Sequence, residues 1–414
     1  MSPAELAAAR PGRSWQPGPQ RRAQLAGAAA RQFHRLGFHQ VSVADVAAAV
    51  GLTAPAIYRH YKNKEDLLVA AITDALDTVE EALAQAEGAT VPDFMLIMAG
   101  AAVARRELWI LLQREMRQLG REQRQPLDER FSRIVRPFTA LIARERGDLA
   151  GRDTGLLTTA VLATLASASV YRSRLPDRDQ QLVLAAAAEA ACGARWAAVT
   201  ESGHEQENTA RSASWVSVPD RGTEILDTAI RLFAARGYQA VSLDDIGTEL
   251  GMAGPSLLYY FATKADILVA AFARAAGWLA AQRAPAGPAR SLADLTATYI
   301  DLAVRERLLF GVYVWEAVNL PPEAGRRIRT GLDADIQAWC AALARSRPEL
   351  TAGQRLALVH AARAAIHDVV RLGHWHDRPD LTIILRAVVS AVLAAPLERQ
   401  APLERQAPLE RQQS

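Results

Sequence analysis

Cysteine is nearly absent. Only Cys192 and Cys340 occur among 414 residues, too few and too far apart for a disulfide framework or a zinc site, which suits a reducing compartment. Long hydrophobic runs are missing too. No apolar stretch approaches the roughly 20 residues that span a bilayer, so no membrane association is expected. Residues 1–19 carry Pro, Gly and Arg where a secretory leader needs an apolar stretch, and the expected location is cytoplasmic. Runs of strand-forming residues are scarce. No Ser-His-Asp order, phosphate loop or spaced carboxylate pair stands out, so neither catalysis nor a cofactor is expected. The one histidine cluster, His374, Trp375, His376 and Asp377, is a short run between helical segments. It reads as a solvated turn rather than a metal site. The net charge of +3 permits a nucleic-acid partner without arguing for one, because only clustered charge makes an electrostatic footprint.

What the chain does have is helix-forming material. Half of its residues are hydrophobic and 22% are charged, with abundant Ala, Leu, Arg and Glu, side chains that lose little freedom in a helix. The expected fold class is all-α. The length implies two to four domains on a prior of roughly 150 residues each, and an internal repeat organises them. Arg31, Phe33, Gly37, Val41, Ser42, Asp45, Gly51, Pro55, Lys64, Asp66, Leu68 and Val69 recur without a gap two hundred residues later, as Arg231, Phe233, Gly237, Val241, Ser242, Asp245, Gly251, Pro255, Lys264, Asp266, Leu268 and Val269. A long Ala-rich helical stretch follows each match, so the repeating object is a whole two-domain unit. The expected boundaries are an N-terminal arm at 1–19, a first helix-turn-helix domain at 20–68 and a first helical domain at 69–200. A linker at 201–219 is polar and Ser-rich, reading HEQENTARSASWVSVP over 204–219. The second helix-turn-helix domain falls at 220–268, the second helical domain at 269–395, and a low-complexity tail repeating APLERQ at 396–414.

Within the first copy, Leu25, Ala29, Phe33 and Leu36 share a helical face that Gly37 terminates. Ser42 with Asp45 three residues on forms a capping box for a short second helix, which Gly51 stops. Thr53 stands at the N-cap of a third helix, with Pro55 in its first turn and Ile57 and Tyr61 facing inward. Two short helices around a tight Gly turn make a helix-turn-helix, whose second helix enters the DNA major groove. A small first turn lets the backbone approach base edges, and Thr53, Ala54 and Ala56 supply it. Ser42, Thr53, Tyr58, His60, Lys62 and Lys64 are suited to phosphate, Lys64 at the start of a fourth helix capped by Asn63, and Arg59 is a further DNA-binding candidate.

The stretch FHRLGFHQVSVADVAAAVGLTAPAIYRHYKNKEDLL, residues 33–68, resembles the N-terminal domain of TetR-family repressors. The family pattern is met at Gly37, Phe38, Ser42, Val43, Asp45, Val46, Ala47, Gly51, Tyr58, Tyr61, Lys64, Asp66 and Leu67. The resemblance implies three N-terminal helices for double-stranded DNA and a larger helical domain that dimerises and binds a small-molecule effector. It also implies switching by a small shift of the recognition helices. Beyond the motif it rests on layout alone.

The second copy departs from the pattern. Thr53, Tyr58, Arg59 and Lys62 become Ala253, Leu258, Tyr259 and Ala262, while Ser242, Tyr260 and Lys264 could still meet phosphate. A one-residue shift would bring Tyr259 to that role as well. The second copy is locally acidic and the first locally basic, so the halves are expected to be unequal before a polyanion. Effector-pocket candidates are Phe94, Met98, Trp109 and Met116 in the first half and Tyr299, Phe310, Tyr313 and Trp315 in the second; the same residues would serve equally as core. The fused pair could act as an intramolecular pseudo-dimer reading an asymmetric site, or as a homodimer of whole chains. Besides an effector-responsive regulator, usually a repressor, two other readings stay open. One is an interaction module without DNA binding that pairs with another regulator, and the other is a ligand-binding enzyme.

Overall fold

In the computed structural model, residues 18–197, 220–252, 254–283, 290–372 and 375–397 are described. Most of the expected arm, the linker and most of the tail lie outside them, as do Ala253 and His374. The described residues form helices joined by turns, with no strand among them. The chain divides into two compact units, one of residues 1–81 and 105–134, the other of 82–104 and 135–414.

The first unit opens with α1 (Gly18–Leu36), α2 (Val43–Ala49), α3 (Ala54–Ile57) and the N-terminal part of α4 (Lys64–Gln85). Its turns are where glycine is required: Gly37 and Gly51 sit at φ 84° and 68°, a region costly for other residues. Leu25, Phe33, Val46, Ile57, Leu67 and Leu68 are all at most 1% exposed and form the core. Leu36, placed on the apolar face by its spacing, is 39% exposed; it is the last residue of its helix, where that face runs out. The capping box forms as expected, Ser42 accepting from Asp45 N while Asp45 accepts from Ser42 N. Asn63 likewise caps α4 by accepting from Asp66 N at 2.7 Å. Thr53 occupies the N-cap of α3, but its side chain makes no capping bond.

The unit also holds α6 (Leu108–Ile110), which continues as one π-helical turn over Leu111–Glu115 and a 3-10 turn over Met116–Gln118, then the start of α7 (Arg121–Glu145). This segment grips the end of α1. Arg114 donates to the carbonyls of Phe33 and His34, where the helix exposes acceptors, and Glu115 accepts from Phe38 N at 3.1 Å.

The second unit contains α5 (Val91–Ala104), the end of α7, α8 (Gly151–Ala166) and α9 (Asp177–Cys192). It also contains the whole second copy. Its head is α10 (Arg221–Arg236), α11 (Leu243–Glu249), α12 (Gly254–Leu258) and α13 (Lys264–Arg283). The remaining helices are α14 (Leu292–Arg305), α15 (Arg307–Glu316), α16 (Pro322–Ser346), α17 (Ala352–Leu372) and α18 (Leu381–Leu393). The repeat extends well beyond the head. Helices α5, α7 and α8 begin 201 residues before α14, α16 and α17. Glu316 takes Tyr238 N at 3.1 Å as Glu115 takes Phe38 N. Arg146 donates to the carbonyls of Cys192 and Ala194, and Arg347 to those of Leu393 and Ala395, each closing the end of its last long helix.

Helices of the two halves pack together inside this unit: α8 lies on α17, and α9 on both α17 and α18. The layer is Ala-rich, with Ala160, Val161, Leu184, Ala188, Ala361, Ala365 and Val388 fully buried, which lets helix axes approach closely. Its rim is specific. Asp153 pairs with Arg378 across the halves, and the rings of Tyr171 and His360 stack in parallel at 4.1 Å.

Candidate nucleic-acid interface and effector cavity

On the first head, Ser42, Thr53, Tyr58, Arg59 and Lys62 are exposed, and Ala54, Ala56, His60 and Lys64 are partly so. Tyr58 at 55% is unusually open for its size. Charge is carried by Arg59 and Lys62, which have no carboxylate partner among the described residues. The position of α3 is fixed from below: Tyr61 donates to Arg22 O at 3.0 Å, and Arg22 donates to His60 O at 3.2 Å. Lys64 differs from the other candidates. Its ammonium sits 4.1 Å from the centre of the Phe38 ring, and burial there lowers its pKa.

The second head has the same skeleton and a different surface. The Ser242–Asp245 capping box and the Gly237 and Gly251 turns repeat. Its arginines are all answered internally: Arg221 by Glu224 at 2.6 Å, Arg231 by Glu249 at 2.8 Å and Arg236 by Asp245 at 3.6 Å. At the positions of Glu224, Glu249 and Arg236 the first head has Gln24, Ala49 and Leu36, so the second head has carboxylates or a bridged arginine where the first has none. Lys264 donates to the carbonyls of Tyr238 and Val241 at 2.7 and 2.8 Å and lies over the Tyr238 ring. It ties α13 to the turn after α10, and burial lowers its pKa. Leu258, Tyr259 and Tyr260 are 50%, 87% and 43% exposed, an apolar face where the first head shows Tyr58, Arg59 and His60.

The effector-pocket candidates separate. In the first half, Phe94 and Met98 belong to one unit and Trp109 and Met116 to the other. Phe94 packs edge-on against Phe138, and Trp109 packs against Phe131. In the second half, Tyr299, Phe310 and Tyr313 do converge, on a cavity of about 50 Å³. Trp315 does not line it; its ring lies under the Arg371 guanidinium. Two polar residues that helical spacing alone does not single out complete the wall, Arg363 and His367 of α17.

These polar groups form a directed chain. Arg363 pairs with Asp335 and donates to Tyr299 Oη at 2.7 Å. A guanidinium only donates, so the hydroxyl proton of Tyr299 is free to point at His367 Nε2, 2.7 Å away. Burial and the nearby Arg363 charge push the pKa of His367 well down, so its ring is neutral, and its Nδ1-protonated form accepts the Tyr299 hydrogen bond. Burial pushes the Tyr299 hydroxyl above its usual range. Trp339, fully buried against Tyr299, adds an indole N–H with no acceptor among the described residues.

The family description "Bacterial regulatory proteins, tetR family" matches residues 25–71 and again 225–271. Two regulators of Pseudomonas putida, the transcriptional regulator TtgR and the probable regulator ArpR, are similar to this chain over 65 residues at 42% identity. That is 16% of this chain and 30% of each relative's length. Among solved structures, a TetR-family regulator from Bordetella parapertussis 12822 is similar at 17% identity with a TM-score of 0.38, over 42% of this chain and 94% of its own. The chain carries two TetR-family domains in tandem, one at the head of each half.

Proposed function

We propose that the protein is a DNA-binding transcription regulator, acting as a repressor, in which the first head holds double-stranded DNA. The C-terminal helices of the two halves stand in for the two subunits of a dimer, and a small molecule modulates the grip. The observation that carries this reading is the contrast between Arg59 and Lys62, exposed beside a small-residue helix start and unanswered by carboxylate, and the ion-paired arginines of the second head. Cationic side chains displace counterions from phosphate only when they are not already neutralised. Tyr58, Ser42, Thr53 and His60 would place the first head on the backbone, and Ala54 and Ala56 would admit α3 to base edges. Packing of α8 and α9 on α17 and α18 supports a pseudo-dimer made by one chain, which reads an asymmetric site.

A second reading concerns the second head alone: with its arginines paired and Leu258 and Tyr259 exposed, it serves as a protein-contacting module rather than a DNA reader. The test is a mobility shift of the DNA upstream of the protein's own gene at low salt. Intact protein should retard it. Tyr58→Ala with Lys62→Ala should abolish the shift, and Tyr259→Ala should leave it unchanged. No shift by intact protein ends the regulator reading. In light scattering the particle should have the 44.8 kDa of one chain; twice that mass replaces the pseudo-dimer with a homodimer.

A further inference from the structure

The two halves solve the same packing problem with different residues. With the shift of 201 that aligns the helical domains, Tyr299, Asp335, Trp339, Arg363 and His367 correspond to Met98, Ile134, Phe138, Leu162 and Ala166. The first half shows that these positions of the fold can be filled with apolar side chains alone. Buried ion pairs are at best neutral compared with such a filling, and every polar group brought into the interior carries a desolvation cost. A cluster that the fold does not need for packing, built beside a cavity, is therefore a recognition device.

We infer that this cavity of the second half is an effector site, and that the site takes a small neutral ring compound bearing one hydrogen-bonding oxygen, of which phenol is the simplest. This deepens the regulator reading above and rests on it. The walls are Phe272, Leu309, Phe310 and Tyr313, which suit a flat apolar body. Charge selects against anions, because Asp335 already answers the guanidinium of Arg363, and a carboxylate ligand would leave an excess negative charge buried. It selects against cations by the same balance. The Tyr299 hydroxyl, which accepts from Arg363 and meets His367 Nε2, lines the cavity and can exchange a hydrogen bond with a ligand oxygen, as can His367 beside it. A hydroxyl on the ligand can both give and take hydrogen bonds.

The cavity's 50 Å³ is about a third of the ~150 Å³ that accommodates benzene in a protein interior, so a ring must push the walls apart. Arg363 and His367 lie on α17, and so does His360, stacked on Tyr171 of the first half. Expansion at the cavity thus moves the helix against which the first half packs. A ligand shifts the equilibrium by the difference in its affinity for the expanded and contracted states.

Calorimetry of the full chain with phenol, toluene and benzoate tests the site without DNA. Phenol should bind at least tenfold more tightly than toluene or benzoate. The variant carrying Tyr299→Met, Asp335→Ile, Arg363→Leu and His367→Ala, which restores the first half's residues, should unfold no earlier than wild type and bind phenol at least tenfold more weakly. Ala275→Phe, which fills the cavity from α13, should do the same while keeping the polar chain. Equal or tighter binding of benzoate overturns the proposed ligand class, and undiminished phenol binding in both variants overturns the site. Absence of phenol binding to wild type overturns the inference while leaving promoter binding to judge the regulator reading separately. If phenol binds as described and no promoter fragment is retarded, the site stands and the regulator reading falls.

Discussion

The two heads share a skeleton and differ in what their cations do, and the two helical domains share a skeleton and differ in what they bury. On the first head Arg59 and Lys62 are left without carboxylate partners and the positions equivalent to the cavity's polar chain are apolar; on the second head the arginines are paired and those positions are polar. Equivalent contacts hold both together, such as Glu115 and Glu316 on the turn after the first helix, and Arg146 and Arg347 on the last carbonyls. Stability and specialisation are thus carried by separate residue sets. A duplicated chain can change one set without disturbing the other, and substitutions that exchange residues between the halves can break that separation or sharpen it.

The largest effect should come from splitting the buried pair. Asp335→Ala leaves Arg363, fully enclosed, with an unanswered charge, a loss of about 3–5 kcal/mol. Asp335→Ile with Arg363→Leu should instead be neutral or stabilising by up to ~4 kcal/mol. Denaturant titration of both proteins checks this, and equal losses would mean that the pair is needed by the fold after all.

Next in size is an exchange of surface charge between heads. Gln24→Glu with Ala49→Glu gives Arg21 and Arg31 the partners that Arg221 and Arg231 have. Promoter affinity should fall about tenfold. The slope of log affinity against log salt should become shallower by about 0.9 for each phosphate that the head ceases to neutralise. The reciprocal change, Glu224→Gln with Glu249→Ala, should leave both quantities unchanged if the second head does not touch DNA.

Acid should distinguish the two interiors. His360, for which the first half has Thr159, is half-buried against Tyr171, and desolvation there together with the Arg363 charge pushes its pKa down to about 3. Between the ordinary histidine value of about 6.5 and that value, the unfolded chain binds a proton that the folded chain refuses. Stability is therefore fully present above pH 6.5 and is lost as pH falls, by about 1.4 kcal/mol per pH unit from this residue. His367 adds loss of the same sign. His360→Phe, which retains a ring for the stack, should flatten the decline measured by thermal unfolding between pH 6 and 4.

Legibility in the sequence followed the range of the interaction. Gly37, Gly51 and the Ser42–Asp45 box encode turns and caps within a few residues, so the heads could be read directly. Thr53 illustrates the limit even there: its place at the N-cap was legible, but not whether its hydroxyl would bond. The cavity was half legible. Tyr299, Phe310 and Tyr313 announce themselves as aromatics at helical spacing, whereas Asp335, Arg363 and His367 lie on helices whose faces look ordinary until they meet. The signal available was Arg363 and His367 within the apolar run AARAAIHDVV of α17, polar residues four apart on a helix too hydrophobic to face water. Trp315 shared the same spacing and turned the other way, onto Arg371. The partition of Phe94 and Met98 from Trp109 and Met116 depends on tertiary contacts that spacing does not encode.

The smallest effect is the cleanest probe of the comparison. Ser42 and Ser242 occupy the same capping box with the same partners: each accepts from the backbone N–H of the third residue, at 3.1 and 3.0 Å, and each hydroxyl meets the same carboxylate. The hydroxyl of Ser42 is the first cause of the lowered pKa of Asp45, and that of Ser242 does the same for Asp245. Replacing either serine by alanine removes one capping bond and should cost about 1 kcal/mol. The two losses should be equal, because the local chemistry is equal. Only Ser42→Ala should also weaken promoter binding, since the same exposed hydroxyl is offered to phosphate by a head with unpaired cations. Equal weakening by both substitutions would place the second head on DNA as well, and the division between the halves would then lie in their helical domains alone.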